Sequence, residues 1–160
     1  ADVERLARAL RDASAPVRVA ASAALWAVWS RSGDAAIDGQ LAEGTRLMGE
    51  GEYAPALALF DAIVNAKPAF AEGWNKRATL LFLQGRLAES LRDCDEVLAR
   101  NPHHFGALSG YGQMFMGLGE FERAIEYLER ALKVNPNLPG AATAIRALEQ
   151  QLEDKRRRII

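Results

Sequence analysis

Apolar residues recur at the three- and four-residue spacing of helices along most of the chain, and the pattern is interrupted at a fixed interval. Large apolar side chains fall at Leu47, Leu81 and Phe115, and again at Tyr53, Leu87 and Phe121, each series stepping by 34 residues. Small residues keep the same step at Gly44, Ala78 and Gly112, and at Ala56, Ser90 and Ala124. So do the glycines Gly51, Gly85 and Gly119 and the prolines Pro68, Pro102 and Pro136. Six series in one register predict a helix pair repeated three times. Each series has a physical reason. The small residue midway along the first helix lets the second cross closely. The glycine supplies a left-handed turn between them. The large residue two positions later packs back under that turn, and the proline ends the second helix.

These positions resemble the tetratricopeptide repeat. The repeats are placed at 37–70, 71–104 and 105–138, and the second matches best, with Trp74, Ala78, Leu81, Gly85 and Pro102. The aromatic position holds Gln40 in the first repeat and Leu108 in the third. A position where the family buries leucine holds Glu43, Arg77 and Tyr111. The resemblance implies an all-α, right-handed α-solenoid. The stretches Glu72 to Thr79 and His104 to Gly110, with Leu25-Trp26 before the repeats, resemble small bacterial and plastid members whose roles are largely unassigned.

Outside the repeats, Val3, Leu6 and Leu10 mark a short helix. Asp12 and Ser14 then offer a cap, Pro16 opens a second helix, and Gly33-Asp34 stops it near Ser32. Together, 1–36 resembles one HEAT-type helix pair. Its second helix is apolar nearly all round, so it is expected to be buried between helix 1 and the first repeat helix, as an extension of the solenoid. Residues 139–160 read as a capping helix opened by Pro139, with Ala144, Leu148 and Leu152 on its apolar stripe, and a basic tail.

Composition narrows the function. Alanine supplies about a fifth of the chain, which favours helix. The formal net charge of -1 argues against a nucleic-acid-binding surface, and no apolar run reaches the roughly 18 residues of a membrane span. One cysteine, Cys94, excludes an internal disulfide and multi-cysteine metal sites, and its repeat position predicts a small buried hydrophobe. His103 and His104 are adjacent on a turn and lack metal-ligand spacing, so they read as capping and packing groups. There is no phosphate-binding loop and no G-x-S-x-G elbow, hence no predicted enzyme, cofactor or metal site. The run from Lys155 to Arg158 reads as solvated charge that complements a helix C-terminus. The chain opens on Ala1, not Met, so its start is either a processed N-terminus, with a targeting peptide removed, or a boundary within a longer chain, and the compartment stays open on this count. The relatives implied by the resemblance put it in a plastid or a bacterial periplasm.

The expected function is therefore binding of a protein or peptide. By family position the groove lining is Leu41, Thr45 and Met48, then Asn75, Thr79 and Phe82, then Ser109, Gln113 and Met116. The lysine, arginine and asparagine clamp by which some members hold chaperone C-termini would fall on Leu41, Thr45, Lys76, Gly106 and Gly110. Only Lys76 is basic, so that clamp is not predicted. Arg77, in a leucine position, calls for an acidic partner, with Glu43 and Asp93 as candidates. As a structural ion pair it should tolerate Arg77→Met; as a ligand anchor it should not. The alternative function is a scaffold subunit docked through its terminal helices or its convex face.

Overall fold

The spacing of the turn glycines sets the course of the chain. In a computed structural model describing residues 2–158, Gly51, Gly85 and Gly119 all take left-handed backbone, with φ of 81°, 74° and 75°. Each reverses the chain inside one helix pair. The pairs are α3 (Ala35–Gly49) with α4 (Tyr53–Ala66), α5 (Ala71–Leu83) with α6 (Leu87–Arg100), and α7 (Phe105–Gly117) with α8 (Phe121–Val134). The N-terminal pair is α1 (Asp2–Ala9) with α2 (Ala15–Trp29), and α9 (Ala141–Arg157) closes the stack. Among the described residues all regular structure is helical.

The small positions do what their spacing predicts. A Cβ on Gly44 would lie 2.6 Å from the Phe60 ring, and one on Gly112 would lie 2.6 Å from Leu128. Ala56, Ser90 and Ala124 are buried at the facing positions, and the Ser90 hydroxyl donates to the Ala78 carbonyl at 2.7 Å. The second helices end two residues before their prolines. Lys67, Asn101 and Asn135 leave the helical region just before Pro68, Pro102 and Pro136. Each of these three residues donates its backbone N–H to the carbonyl four residues back at 2.8 Å.

Apolar side chains form two cores along the stack. Ile37, Leu41, Ala56, Phe60, Ile63, Phe70 and Leu80 fill the first. The second runs from Ala78 and Cys94 through Tyr111, Met114, Phe115 and Leu128 to Leu148 of α9. Two boundaries differ from expectation. Helix α9 starts at Ala141, because Gly140 turns the chain at φ 76°, and α2 ends at Trp29.

The N-terminal pair is not where its sequence position suggests. A stacked place between helix 1 and the first repeat helix is expected for α2, but it lies along the junctions between the later pairs. Leu10, Ala21 and Leu25 form a third core with Phe105, joined by Trp26, Trp29, Val134 and Leu138. Polar hooks fix it there. Arg18 Nε donates to Asn137 Oδ1 at 2.8 Å, Asn137 Nδ2 donates to the Leu10 carbonyl at 2.7 Å, and Arg11 donates to the Lys133 carbonyl. At the other end Lys67 Nζ donates to the Ser32 carbonyl. The physical reason lies in what each end offers. The exposed side of α3 and its C-cap carry Glu43, Arg46 and Glu50, joined by ion pairs through Arg46, whereas the junction after α6 offers Phe105 and the one after α8 offers Val134 and Leu138.

Candidate functional site

The first helix of each pair presents its side chains to a shared concave face, and the register of the repeat decides which ones. Five of the predicted lining residues, Asn75, Thr79, Phe82, Ser109 and Gln113, converge on a single cavity of about 220 Å³ between α5 and α7. Its floor is Ala78, Cys94, Ala107 and Met114, and its wall includes Gly106 and Gly110. Met116 joins Ser109 and Gln113 in an adjoining depression that reaches Leu138 and Ala144. Leu41 and Thr45 line a third, with Ser30, Asp38, Ala42 and Lys76. Two predicted positions differ. Leu41 is mostly core, and Met48 packs against the first core.

The polar groups of this face are partly committed. Thr45 and Thr79 donate their hydroxyls to the carbonyls four residues back, at 2.7 and 2.9 Å. Asn75 is buried, and its Nδ2 lies 3.2 Å from a carboxylate oxygen of Glu72. Glu72 and His104 are themselves fully enclosed, with His104 Nε2 3.0 Å from Glu72 Oε2. His104 Nδ1 caps α7 by accepting the Ala107 N–H at 3.2 Å, the capping role expected for this histidine pair. The ring proton therefore sits on Nε2 and points at Glu72. Nothing in the sequence pattern marked Glu72 or α2 as parts of this face. The missed signal was Gly106, a residue without a side chain beside the large Phe105.

Cys94 sits under the cavity. Burial, with Asp93 and Asp95 nearby, pushes its thiol up to about 12. It is thus a protonated, inert side chain at neutral pH. Native protein should resist iodoacetamide at neutral pH and label only on unfolding, as read by mass spectrometry. Fast labelling of the folded chain would contradict the burial.

Arg77 does not face this cavity. Its Nε and Nη2 donate to Asp93 at 2.7 and 2.8 Å, and its Nη1 donates to Asp61 at 2.8 Å. The hydrogen bonds it donates to Asp93, opposed by desolvation and helped by Asp61, hold the guanidinium above its ordinary range. The predicted partner Glu43 is engaged elsewhere, with Arg46 three residues on at 2.6 Å. In the same register Tyr111 donates to Asp95, and its phenol is pushed up by burial and by that carboxylate. No cluster of metal-ligating side chains and no helix long and apolar enough to cross a membrane is found among the described residues.

Comparison with known proteins agrees with the repeat. Two family models, both described as Tetratricopeptide repeat, match residues 41–104 and 81–152. The chain belongs to the tetratricopeptide repeat family. A TPR repeat-containing protein of Rhizobium etli is 33% identical over 128 residues, covering 80% of this chain and 63% of its own length. The chain thus spans less than two thirds of the curated relatives it matches. Among solved structures, the first TPR of Spaghetti (RPAP3) bound to the HSP90 peptide SRMEEVD superposes with a TM-score of 0.70 at 25% identity. That match covers 73% of this chain and 93% of the other. The Sgt2 TPR domain from Aspergillus fumigatus gives 0.72 at 19% identity, covering 78% and 83%, and shares the fold. The two matches together run from within α3 into α9.

Proposed function

We propose that the chain is a non-enzymatic adaptor that holds an extended segment of a partner protein in its concave groove. The observation that carries this is the cavity between α5 and α7, where Asn75, Thr79, Phe82, Ser109 and Gln113 meet. Hydroxyl and amide groups at its rim match a peptide backbone, and Phe82 offers an apolar wall. Occupation of a related repeat domain by a peptide supports the same use of the face. A chaperone-type carboxylate clamp is not part of the proposal, because its positions hold Leu41, Thr45, Lys76, Gly106 and Gly110. A second reading, a scaffold subunit docked through its terminal helices, is favoured by Val17, Val19 and Val28, which stay exposed on α2.

The test uses Phe82→Ala with Gln113→Ala, since Asn75 is tied to Glu72 and its loss would disturb the buried carboxylate. The double variant should fold normally and lose about tenfold or more in affinity for the co-purifying partner, the scale of an apolar anchor at an interface. Binding should depend weakly on salt, since the cavity lining carries no charge. Normal binding by this variant, with loss on changing α2 or α9, would favour the scaffold reading.

A further inference from the structure

We infer that Trp26 of α2 is a built-in wall of the groove. It withholds Lys76 from ligands and restricts the site to an uncharged, internal peptide segment with one bulky apolar side chain. This rests on the groove being a peptide site, and it adds what that site accepts.

The geometry around Trp26 is specific. Its ring stands edge-on to His104 and to Phe105, with centroids 5.3 Å away in both cases. Behind it Trp29 stacks on His104 at 4.6 Å. Trp26 also fills the space over Gly106, where a Cβ would come within 2.4 Å of the indole. A side chain at 106 and Trp26 in this place exclude one another.

Lys76 follows Asn75 of the cavity lining in sequence, and its ammonium is engaged on two sides. Its ammonium lies 5.9 Å from the centre of the Trp26 ring and 3.4 Å from the enclosed Glu72 carboxylate. The same carboxylate also lies within reach of the Asn75 amide at 3.2 Å and of His104 Nε2 at 3.0 Å, so Lys76 is one of three partners that hold it. The Lys76 side chain keeps 24% of its surface, on the depression lined by Leu41 and Thr45, so a ligand carboxylate competes with both contacts for the ammonium.

The cavity sets the remaining chemistry. None of its lining residues is charged, so a charged side chain entering it would lose water without gaining a counter-ion. Its volume of about 220 Å³ is below the roughly 300–1,000 Å³ of pockets that take whole small molecules, and suits one large side chain. Ser109 and Gln113 on the rim are left to bind the backbone on either side, with the Thr79 oxygen, whose proton goes to the Asn75 carbonyl, as an acceptor only.

The experiment measures fluorescence anisotropy of the full chain with two synthetic probes. One is a Ser/Asn-rich nonapeptide with a central leucine, acetylated and amidated. The other has the same core and ends in Glu-Asp with a free carboxylate. The wild-type chain should prefer the blocked probe by about tenfold, and Lys76→Met should leave the acidic probe unchanged. Trp26→Ala should raise affinity for the acidic probe by about tenfold at low salt, and added Lys76→Met should remove the gain. Equal binding of both probes by the wild type, or weaker acidic-probe binding on Lys76→Met alone, would overturn the inference. So would a folded Trp26→Ala chain with no gain; should that chain not fold, the Lys76→Met result decides. If neither probe binds the wild type, the groove reading fails. Trp26 is then judged by whether Trp26→Ala alone creates acidic-probe binding.

Discussion

Deleting residues 1–32 is expected to leave a chain that aggregates or melts far below the intact protein. The helices lost are not an outer layer. They cover Phe105 and His104, which are 1% and 0% exposed, and they supply Leu10 and Leu25, which are equally enclosed. A milder version isolates the packing. Leu25→Ala removes a fully buried side chain and should cost about 3 kcal/mol, within the usual 2–5 for such a cavity. For a chain of this size that is a fall of about 6–12 °C in Tm. The whole deletion removes several such contacts at once, against a typical total stability of about 5–15 kcal/mol. Thermal denaturation followed by circular dichroism, with sizing chromatography, reads both variants. A deletion that stays monomeric and melts like the full chain would show that α1 and α2 are only appended to the stack.

The same region shows where the sequence stops being legible. The three helix pairs could be read because each constraint is local and recurs: a left-handed glycine, a small crossing residue, a proline. The place of α2 could not be read this way. A helix apolar on every side carries no stripe that selects a neighbour, and its hooks join residues 119 and 127 apart in sequence. Once α2 lies over α7, the identity of residue 106 and the polar run Asn135 to Asn137 make sense as its seat. Register alone brought together the five residues that line the cavity between α5 and α7, whereas the first core absorbs the side chains of Met48 and Leu41. Arg77 was half legible. Its misplaced partner, Glu43, shares its repeat position but lies on an exposed surface beside Arg46. The two true partners flank it symmetrically, sixteen residues before and sixteen after, on the second helices of adjoining repeats.

That symmetry leads to a large expected effect. Asp93 is 4% exposed, while the Arg77 side chain keeps 20% of its surface and Asp61 sits at the rim with 48%. The deeper charge is therefore the acid. Asp93→Ala leaves two guanidinium donors without their acceptor in a half-buried depression, where Asp61 still holds the third and Glu89 lies on the rim. It should cost about 3 kcal/mol, the lower end for breaking a buried pair, because water reaches Arg77. Arg77→Met is not the neutral change that a lone arginine in a leucine position suggests. It strands the Asp93 carboxylate, and should cost at least as much. Only the double change Arg77→Met with Asp93→Leu, which puts apolar side chains into both halves of the site, should return close to wild-type stability. A double-mutant cycle of Arg77→Met, Asp93→Leu and the two together, read from urea denaturation, should then give a coupling above about 2 kcal/mol. Additive single effects would mean that the pair contributes nothing as a pair. A further outcome separates structure from ligand binding: if Arg77→Met keeps full stability yet loses the partner, the guanidinium anchors a ligand, and its contacts to Asp93 and Asp61 are only its resting place.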